Sequence, residues 1–218
     1  MRQHTIEQIE KEKVIAIIRG ADAEQAMKVA QAVYEGGIRL MEITYNQKDP
    51  ASFQVTADTI RALVNEFEGR MLIGAGTVTT PELVDMTADA GGRFIISPDC
   101  YPDVIRRTLE RNMVSIPGAL TPTEIMTAHR CGADFVKLFP VAQLGIPYVK
   151  AVTAPISHVK LLAVGGVNES NIADYLAAGL YGAGIGGNLA NKKWIEAGEY
   201  HRITETARAI VRQIHCDK

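Results

Sequence analysis

Cysteine is scarce in this chain of 218 residues. Its three cysteines, Cys100, Cys131 and Cys216, are far apart and odd in number. A disulfide framework needs paired cysteines, and a structural zinc site typically contains a CxxC pair, which this sequence lacks. We therefore expect reduced thiols that act as small hydrophobic residues, with a catalytic thiol as the alternative.

Strong charge and long apolar runs are also missing. The formal net charge is -2 and the sequence pI is about 6.2, so no general basic field attracts a nucleic acid or an anionic membrane. No apolar run approaches the roughly 18 residues of a membrane-spanning helix. Residues 1–13 lack the apolar centre of a signal peptide. These absences predict a cytoplasmic protein with neither nucleic-acid nor membrane partners.

Short apolar runs alternate with longer segments of helical periodicity along the whole chain. Each run is nearly continuous in apolar residues, which is typical of parallel strands covered by helices. The predicted strands are 14–19, 38–44, 71–75, 93–97, 113–116, 134–138, 159–164 and 182–185.

The segments between these strands have the ends of helices. TPELVDMTADAGG and TPTEIMTAHRCGA both begin with Thr-Pro, a typical N-cap and first helical residue, and end in glycine. Eight such units without a linker predict one α/β domain over residues 1–218, a (β/α)8 TIM barrel. Residues 1–13 are its expected N-terminal helix and residues 194–214 its closing helix. An open doubly wound sheet is the alternative.

Lys137 lies in the predicted strand of ADFVKLFP, where its near neighbours are apolar. Burying an ammonium there is costly unless the group is paired or neutral. A neutral amine can attack a ketone and form a Schiff base, which makes Lys137 a candidate nucleophile. The alternative is a structural lysine whose charged end reaches water.

Glu42 interrupts a second apolar strand, IRLMEITY, near its carboxyl end. Strand alternation places Glu42 on one face with Leu40 and Thr44, and Lys137 on one face with Phe139. If both faces point into a barrel, a carboxylate and an amine share its mouth, where the carboxylate can act as a general acid and base. A buried structural ion pair is the alternative.

Glycine-rich turns follow three predicted strands, with the sequences GAGT (74–77), GGV (165–167) and GIGGN (184–188). Backbone N–H groups after the last two strands of a barrel often bind phosphate, helped by a helix dipole. Tight turns are the alternative use of these glycines. Arg19, after the first strand in VIAIIRG, can bind a carboxylate or phosphate at the same mouth, or is simply a surface residue.

Histidines do not cluster at the predicted strand ends. They fall mainly in predicted helices or before a strand, and are His4, His129, His158, His201 and His215. A site that binds a divalent metal needs convergent imidazole or carboxylate ligands. The sequence therefore predicts surface histidines and no metal site.

Together these segments resemble the 2-keto-3-deoxy-6-phosphogluconate and 2-keto-4-hydroxyglutarate aldolase family over nearly the whole chain. The matching blocks are VIAIIRG, EGGIRLMEITY, IGAGTVTTPE, FIISPD, SIPGALTPTE, ADFVKLFP, LLAVGGV and IEAGEYHRIT. The resemblance implies that Lys137 forms the Schiff base, that Glu42 moves protons through a bound water and that Thr77 binds the pyruvyl carboxylate. It also implies a homotrimer with no metal or organic cofactor.

The resemblance is weaker just after Glu42. The family commonly continues with a Leu-Arg-Thr-Pro-like stretch whose arginine binds the keto-acid carboxylate, whereas residues 45–48 of this chain read YNQK. Asn46 takes the arginine's position, so Arg19 or Lys48 has to supply the charge.

The serine that helps the family bind phosphate is also not evident, because Gly-Asn stands in that region. Backbone N–H groups remain there as donors. The expected substrate contacts are Arg19, Asn46, Thr77, Pro98, Phe139, Gly165, Gly166, Gly187 and Asn188.

The activity that this resemblance implies is a class I aldolase. It would cleave 2-keto-3-deoxy-6-phosphogluconate, or the galactonate epimer, to pyruvate and glyceraldehyde 3-phosphate. Cleavage of 4-hydroxy-2-oxoglutarate to pyruvate and glyoxylate is a close variant. The rival hypotheses are a phosphosugar epimerase or a thiazole- or pyrimidine-phosphate barrel with Lys137 as a phosphate ligand, and a non-catalytic sugar-phosphate sensor.

Overall fold

A ring of parallel strands surrounded by helices forms the centre of the protein in a computed structural model, which describes residues 1–215. The strands are β1 (Val14–Ile18), β2 (Leu40–Thr44), β3 (Leu72–Gly76), β4 (Phe94–Ile96), β5 (Val114–Ile116), β6 (Gly118–Ala119), β7 (Val136–Leu138), β8 (Leu161–Val164) and β9 (Gly182–Ile185). The helices are α1 (Arg2–Glu12), α2 (Ala23–Glu35), α3 (Phe53–Glu66), α4 (Pro81–Asp89), α5 (Pro102–Glu110), α6 (Pro122–Arg130), α7 (Gly145–Thr153), α8 (Ile172–Ala177), α9 (Lys192–Glu196) and α10 (Tyr200–His215). Short 3-10 helices at Pro50–Ser52 and Val141–Gln143 precede α3 and α7.

Eight barrel strands arise from these nine segments, because β5 and β6 are two parts of one strand. They are separated by Pro117, which has no N–H to donate to a neighbouring strand. β5 pairs with β4, and β6 pairs with β7 by aligning Gly118 with Lys137. The Lys137 N–H also donates to the Pro117 carbonyl oxygen at 2.8 Å. The ring is thereby closed, which confirms the (β/α)8 barrel and excludes the open sheet.

Two apolar layers follow from the alternation of residues along the strands. Ile15, Leu40 and Phe135 belong to a buried cluster inside the ring, whereas Val14 and Ala16 pack outward with the helices. The inner cluster also contains Phe94, Ile96, Val114, Ile116 and Leu162. Strand residues that lie two positions from a member of the inner cluster therefore also point to the barrel axis.

The N-terminal helix closes the amino end of the barrel. Ile9 of α1 is buried in the inner cluster, and Ile6 packs against it. The Arg2 guanidinium donates to both carboxylate oxygens of Asp134, at 2.7 and 3.2 Å, and the same carboxylate accepts the Ser115 N–H at 3.0 Å. The expected helix within residues 1–13 is confirmed, and it leaves the carboxyl end of the barrel as the open end.

One local prediction was wrong, and the N-cap expected for α4 is confirmed in position but not in its hydrogen bond. The closing helix predicted over 194–214 is divided into α9 and α10, because the intervening Gly198 has a φ of +72° and ends α9. Thr80 precedes Pro81 at the start of α4, but its side chain forms no capping hydrogen bond. Thr121 does cap α6 as predicted, in a reciprocal arrangement with Glu124.

Candidate active site

Lys137 and Glu42 meet at the open end of the barrel. Both line a cavity of about 420 Å³, and their side chains are 7% and 1% exposed. Each lies on the inward face of its strand, one layer above a residue of the inner cluster, Phe135 and Leu40 respectively. The predicted meeting of a carboxylate and an amine is confirmed.

Burial changes the proton affinity of both groups. It raises the pKa of the Glu42 carboxyl to about 7, against the opposing charges of Lys137 and Arg19. It lowers the pKa of the Lys137 ammonium, an effect that the Glu42 charge opposes and the Arg19 charge reinforces. The Oε2 atom of Glu42 has no hydrogen-bond partner among the described residues. The site therefore favours a neutral amine beside a carboxyl group that exchanges its proton near neutral pH.

Gly76 makes room for the Glu42 carboxylate. A Cβ atom at this glycine would lie 2.4 Å from Glu42 Oε1 and 2.7 Å from Oε2. No side chain with a Cβ fits unless the carboxylate moves. The GAGT turn therefore has a steric function that its sequence did not reveal, beyond the tight turn expected of glycine.

Thr77 follows directly and has a φ of 57°, a left-handed conformation that a β-branched residue seldom adopts. Such a conformation costs of order 1–3 kcal/mol and persists where its surroundings fix it. The Thr77 hydroxyl accepts a hydrogen bond from Arg19 Nη2 at 3.3 Å. Arg19 and Thr77 both line the cavity, so the cation and hydroxyl expected from the sequence lie side by side.

Gln47 holds the loop that contains Thr77, a role that the sequence did not reveal. Its Nε2 donates to the Thr77 carbonyl oxygen at 2.8 Å, and its Oε1 accepts from the Thr79 hydroxyl at 2.9 Å. Gln47 is separated from these residues by about 30 positions, which is why no local pattern pointed to it.

Two loops that follow β8 and β9 present backbone donors to the same cavity. Gly165 and Gly166 have φ values of 93° and 85°, so their turn needs glycine. The N–H groups of Gly166, Gly187 and Asn188 donate to no acceptor within residues 1–215. The Asn188 side-chain amide donates to the Val167 carbonyl oxygen at 2.9 Å and thus joins the two loops. The helices after these loops begin only at Ile172 and Lys192, so the loop N–H groups, not a helix terminus, are the nearer donors.

Pro98 and Phe139 complete the predicted wall. Both line the cavity, and the Phe139 ring centroid lies 4.7 Å from Lys137 Nζ. The structure also places Ile17 and Val164 there, which the sequence did not single out because they look like ordinary strand residues.

Asn46 is separated from the other predicted contacts. It lines a neighbouring cavity of about 590 Å³ instead of the one that contains Lys137. Its Oδ1 accepts the Lys48 backbone N–H at 3.2 Å, which holds the side chain over its own turn. Lys48 lines the same outer cavity, and only Arg19 and Thr77 border both. Of the two cations considered for the missing arginine, Arg19 is the one at the Lys137 site.

Comparison with known proteins supports this geometry. The family model for KDPG and KHG aldolases matches residues 5–206. The chain belongs to this aldolase family. It is 40% identical over 177 residues to a "Probable 2-dehydro-3-deoxy-6-phosphogalactonate aldolase" of Rhizobium meliloti (strain 1021), covering 81% of each chain. It is 38% identical to the 2-dehydro-3-deoxy-6-phosphogalactonate aldolase of Escherichia coli (strain K12), covering 81% of this chain and 83% of that one.

A solved structure of the family is also similar. It is the KDPG aldolase from Legionella pneumophila with pyruvate captured as a covalent carbinolamine intermediate, and its TM-score is 0.84 at 29% identity. The match covers 96% of this chain and 98% of that chain. The family assignment agrees with a lyase and not with the epimerase and sensor hypotheses.

Other candidate groups of this aldolase lie away from the reacting centre. Burial raises the pKa of the Cys100 thiol to about 11, the opposite of what a thiolate nucleophile needs. Cys216 lies outside the described residues. All five histidines are exposed, and no group of three His, Cys, Asp or Glu side chains suited to a metal occurs within residues 1–215. No helix in that range is long and apolar enough to cross a membrane.

The raised pKa of Glu42 predicts a specific pH dependence. A catalytic base has to be ionised, so kcat/KM should fall about tenfold per pH unit below about pH 7. Glu42→Gln should reduce kcat by about 10²- to 10⁴-fold and should remove this acidic limb. The measurement is kcat/KM against pH, with the exposed Glu68→Gln as the control. Protonation of Lys137 also slows the reaction, but without the Glu42 charge its pKa is lowered further. An acidic limb that keeps its midpoint near pH 7 in Glu42→Gln therefore contradicts the assignment.

Proposed function

We propose that this aldolase cleaves 2-keto-3-deoxy-6-phosphogalactonate to pyruvate and glyceraldehyde 3-phosphate through a Schiff base on Lys137. The observation that carries the proposal is a buried amine whose pKa is lowered, beside a carboxylate inside one cavity. The galactonate epimer is proposed because both curated relatives described above carry that name. The gluconate epimer and 4-hydroxy-2-oxoglutarate are the alternative substrates.

Covalent chemistry begins at the neutral Lys137 amine. It attacks the C2 carbonyl carbon, and the resulting carbinolamine loses water to give an iminium ion. Glu42 takes the C4 hydroxyl proton, directly or through a water molecule, and the C3–C4 bond electrons move to the iminium as the aldehyde leaves. The remaining enamine takes a proton at C3, and hydrolysis then releases pyruvate. The iminium stabilises negative charge that develops only in the transition state.

Two different sets of cavity residues suit the carboxylate and phosphate ends of the substrate. In this proposal Thr77 and Arg19 bind the C1 carboxylate, with Arg19 supplying the charge that Asn46 lacks. The free N–H groups of Gly166, Gly187 and Asn188 bind the phosphate. Pro98 and Phe139 supply apolar walls between them. A phosphorylated sugar acid is too highly charged to cross a bilayer, which supports a cytoplasmic location.

Borohydride trapping tests the Schiff base. Reduction in the presence of pyruvate should add one reduced pyruvyl group to the peptide that contains Lys137. Lys137→Met should show no adduct, whereas Lys160→Met should react normally, because Lys160 is a partly buried lysine that pairs with Glu10 near the barrel's amino end. Peptide mass spectrometry is the measurement. A folded wild-type protein without the adduct would overturn the proposal.

Introduction of a negative charge tests the phosphate site. A Cβ at Gly187 meets nothing within 4 Å, so Gly187→Asp and the uncharged, equally large Gly187→Asn both fit. The aspartate should raise KM for a phosphorylated substrate about tenfold more than the asparagine does, because like charges repel. KM for unphosphorylated 4-hydroxy-2-oxoglutarate should differ little between them. Equal KM values for the phosphorylated substrate in both variants would exclude this location.

A homotrimer is the assembly that we propose, as the family resemblance implies. The large side chains of Tyr101, Leu120 and Phe139, which follow neighbouring strand segments at the barrel mouth, are 36–41% exposed, which supports an interface there. Sedimentation equilibrium should give three chains of 23.7 kDa. Leu120→Glu should dissociate them, whereas Val55→Glu, at a side chain 60% exposed, should not. A monomeric wild-type protein would contradict the trimer.

A further inference from the structure

Residues 45–48, which depart from the family pattern, are held beside the site by their own contacts. Tyr45 is fully buried, and its hydroxyl bonds to Thr87 Oγ1 at 3.1 Å. The Tyr45 ring packs edge-on against Phe53 at a centroid distance of 5.6 Å. These contacts fix Tyr45, and Gln47, two residues later, is thereby held on the outer side of the loop that contains Thr77.

Gln47 joins two points of this loop through directed hydrogen bonds. The Thr79 hydroxyl donates to Gln47 Oε1, and Gln47 Nε2 donates to the Thr77 carbonyl oxygen. Arg19 Nη2 donates to the Thr77 hydroxyl oxygen, so that this hydroxyl keeps its own proton for an acceptor in the cavity. Gln47 thus restrains the left-handed backbone from which the Thr77 hydroxyl projects.

We infer that Gln47 is a positioning residue for recognition of the substrate carboxylate. It fixes Thr77, and through Thr77 the guanidinium of Arg19, where the family pattern uses an arginine at residue 46. Gln47 itself lines the outer cavity and does not touch the one that contains Lys137. The inference rests on the proposed function, because it assigns the carboxylate to Thr77 and Arg19.

Steady-state kinetics with the intact enzyme separate positioning from catalysis. Gln47→Ala should raise KM and the half-saturating pyruvate concentration for borohydride trapping roughly three- to tenfold, the worth of one or two hydrogen bonds. Its kcat should remain within about twofold of wild type, because Lys137 and Glu42 are unaffected. Gln54→Ala is the matched control, since Gln54 is an exposed glutamine whose side chain, within residues 1–215, bonds to Asp58 alone.

A second variant shows whether Gln47 acts through its loop. Thr79→Val removes the donor to Gln47 Oε1 and should raise KM by a smaller factor. In the double variant the KM should equal that of Gln47→Ala, because the Thr79 hydroxyl acts through Gln47. The inference would be overturned if the KM increases of the two single variants multiplied in the double variant. It would also be overturned if Gln47→Ala had a lower Tm and an unchanged KM.

Trapping at saturating pyruvate keeps the two proposals distinguishable. Gln47→Ala should still carry the adduct on Lys137 at saturation, which supports positioning. A wild-type enzyme without an adduct refutes the proposed function itself, whereas an adduct with wild-type pyruvate dependence in Gln47→Ala refutes only the role of Gln47.

Discussion

The burial of two oppositely charged groups at the barrel centre is the constraint on which the site depends. An isolated ammonium or carboxylate there is heavily penalised, and their mutual attraction offsets only part of the cost. The balance leaves Lys137 with a lowered pKa and Glu42 with a raised one. In the proposed mechanism, the same desolvation that makes this pair a poor stabilising element favours proton transfer by Glu42 and attack of Lys137 on a carbonyl.

The rest of the fold fixes the two groups in this environment. Strand alternation turns them inward, the inner apolar cluster lies beneath them, and α1 keeps water from the amino end. Gly76 leaves the space that the Glu42 carboxylate fills. Each feature is ordinary in a barrel, but together they hold two buried ionisable groups in one cavity at the mouth.

The barrel and the meeting of Lys137 with Glu42 could be predicted from the sequence, because both depend on regular spacing. A charged residue within an apolar strand is easy to recognise. The alternation of strand residues then determines whether its side chain points into the barrel or out towards the helices. The parts that could not be predicted depend on contacts between distant residues. Gln47 meets a loop some 30 positions away, and Asn46 turns away from the site to bond with Lys48. The division of the closing helix depended on the conformation of one glycine, Gly198.

The closed amino end of the barrel also sets an order of events. Leu40 and Phe135 lie directly below Lys137 and Glu42, so molecules reach this pair from the open carboxyl end. In the proposed cleavage the keto-acid half is tethered to Lys137 while the aldehyde half lies nearer the open end. The aldehyde therefore departs first and pyruvate last, and synthesis in the reverse direction has to load pyruvate before its partner.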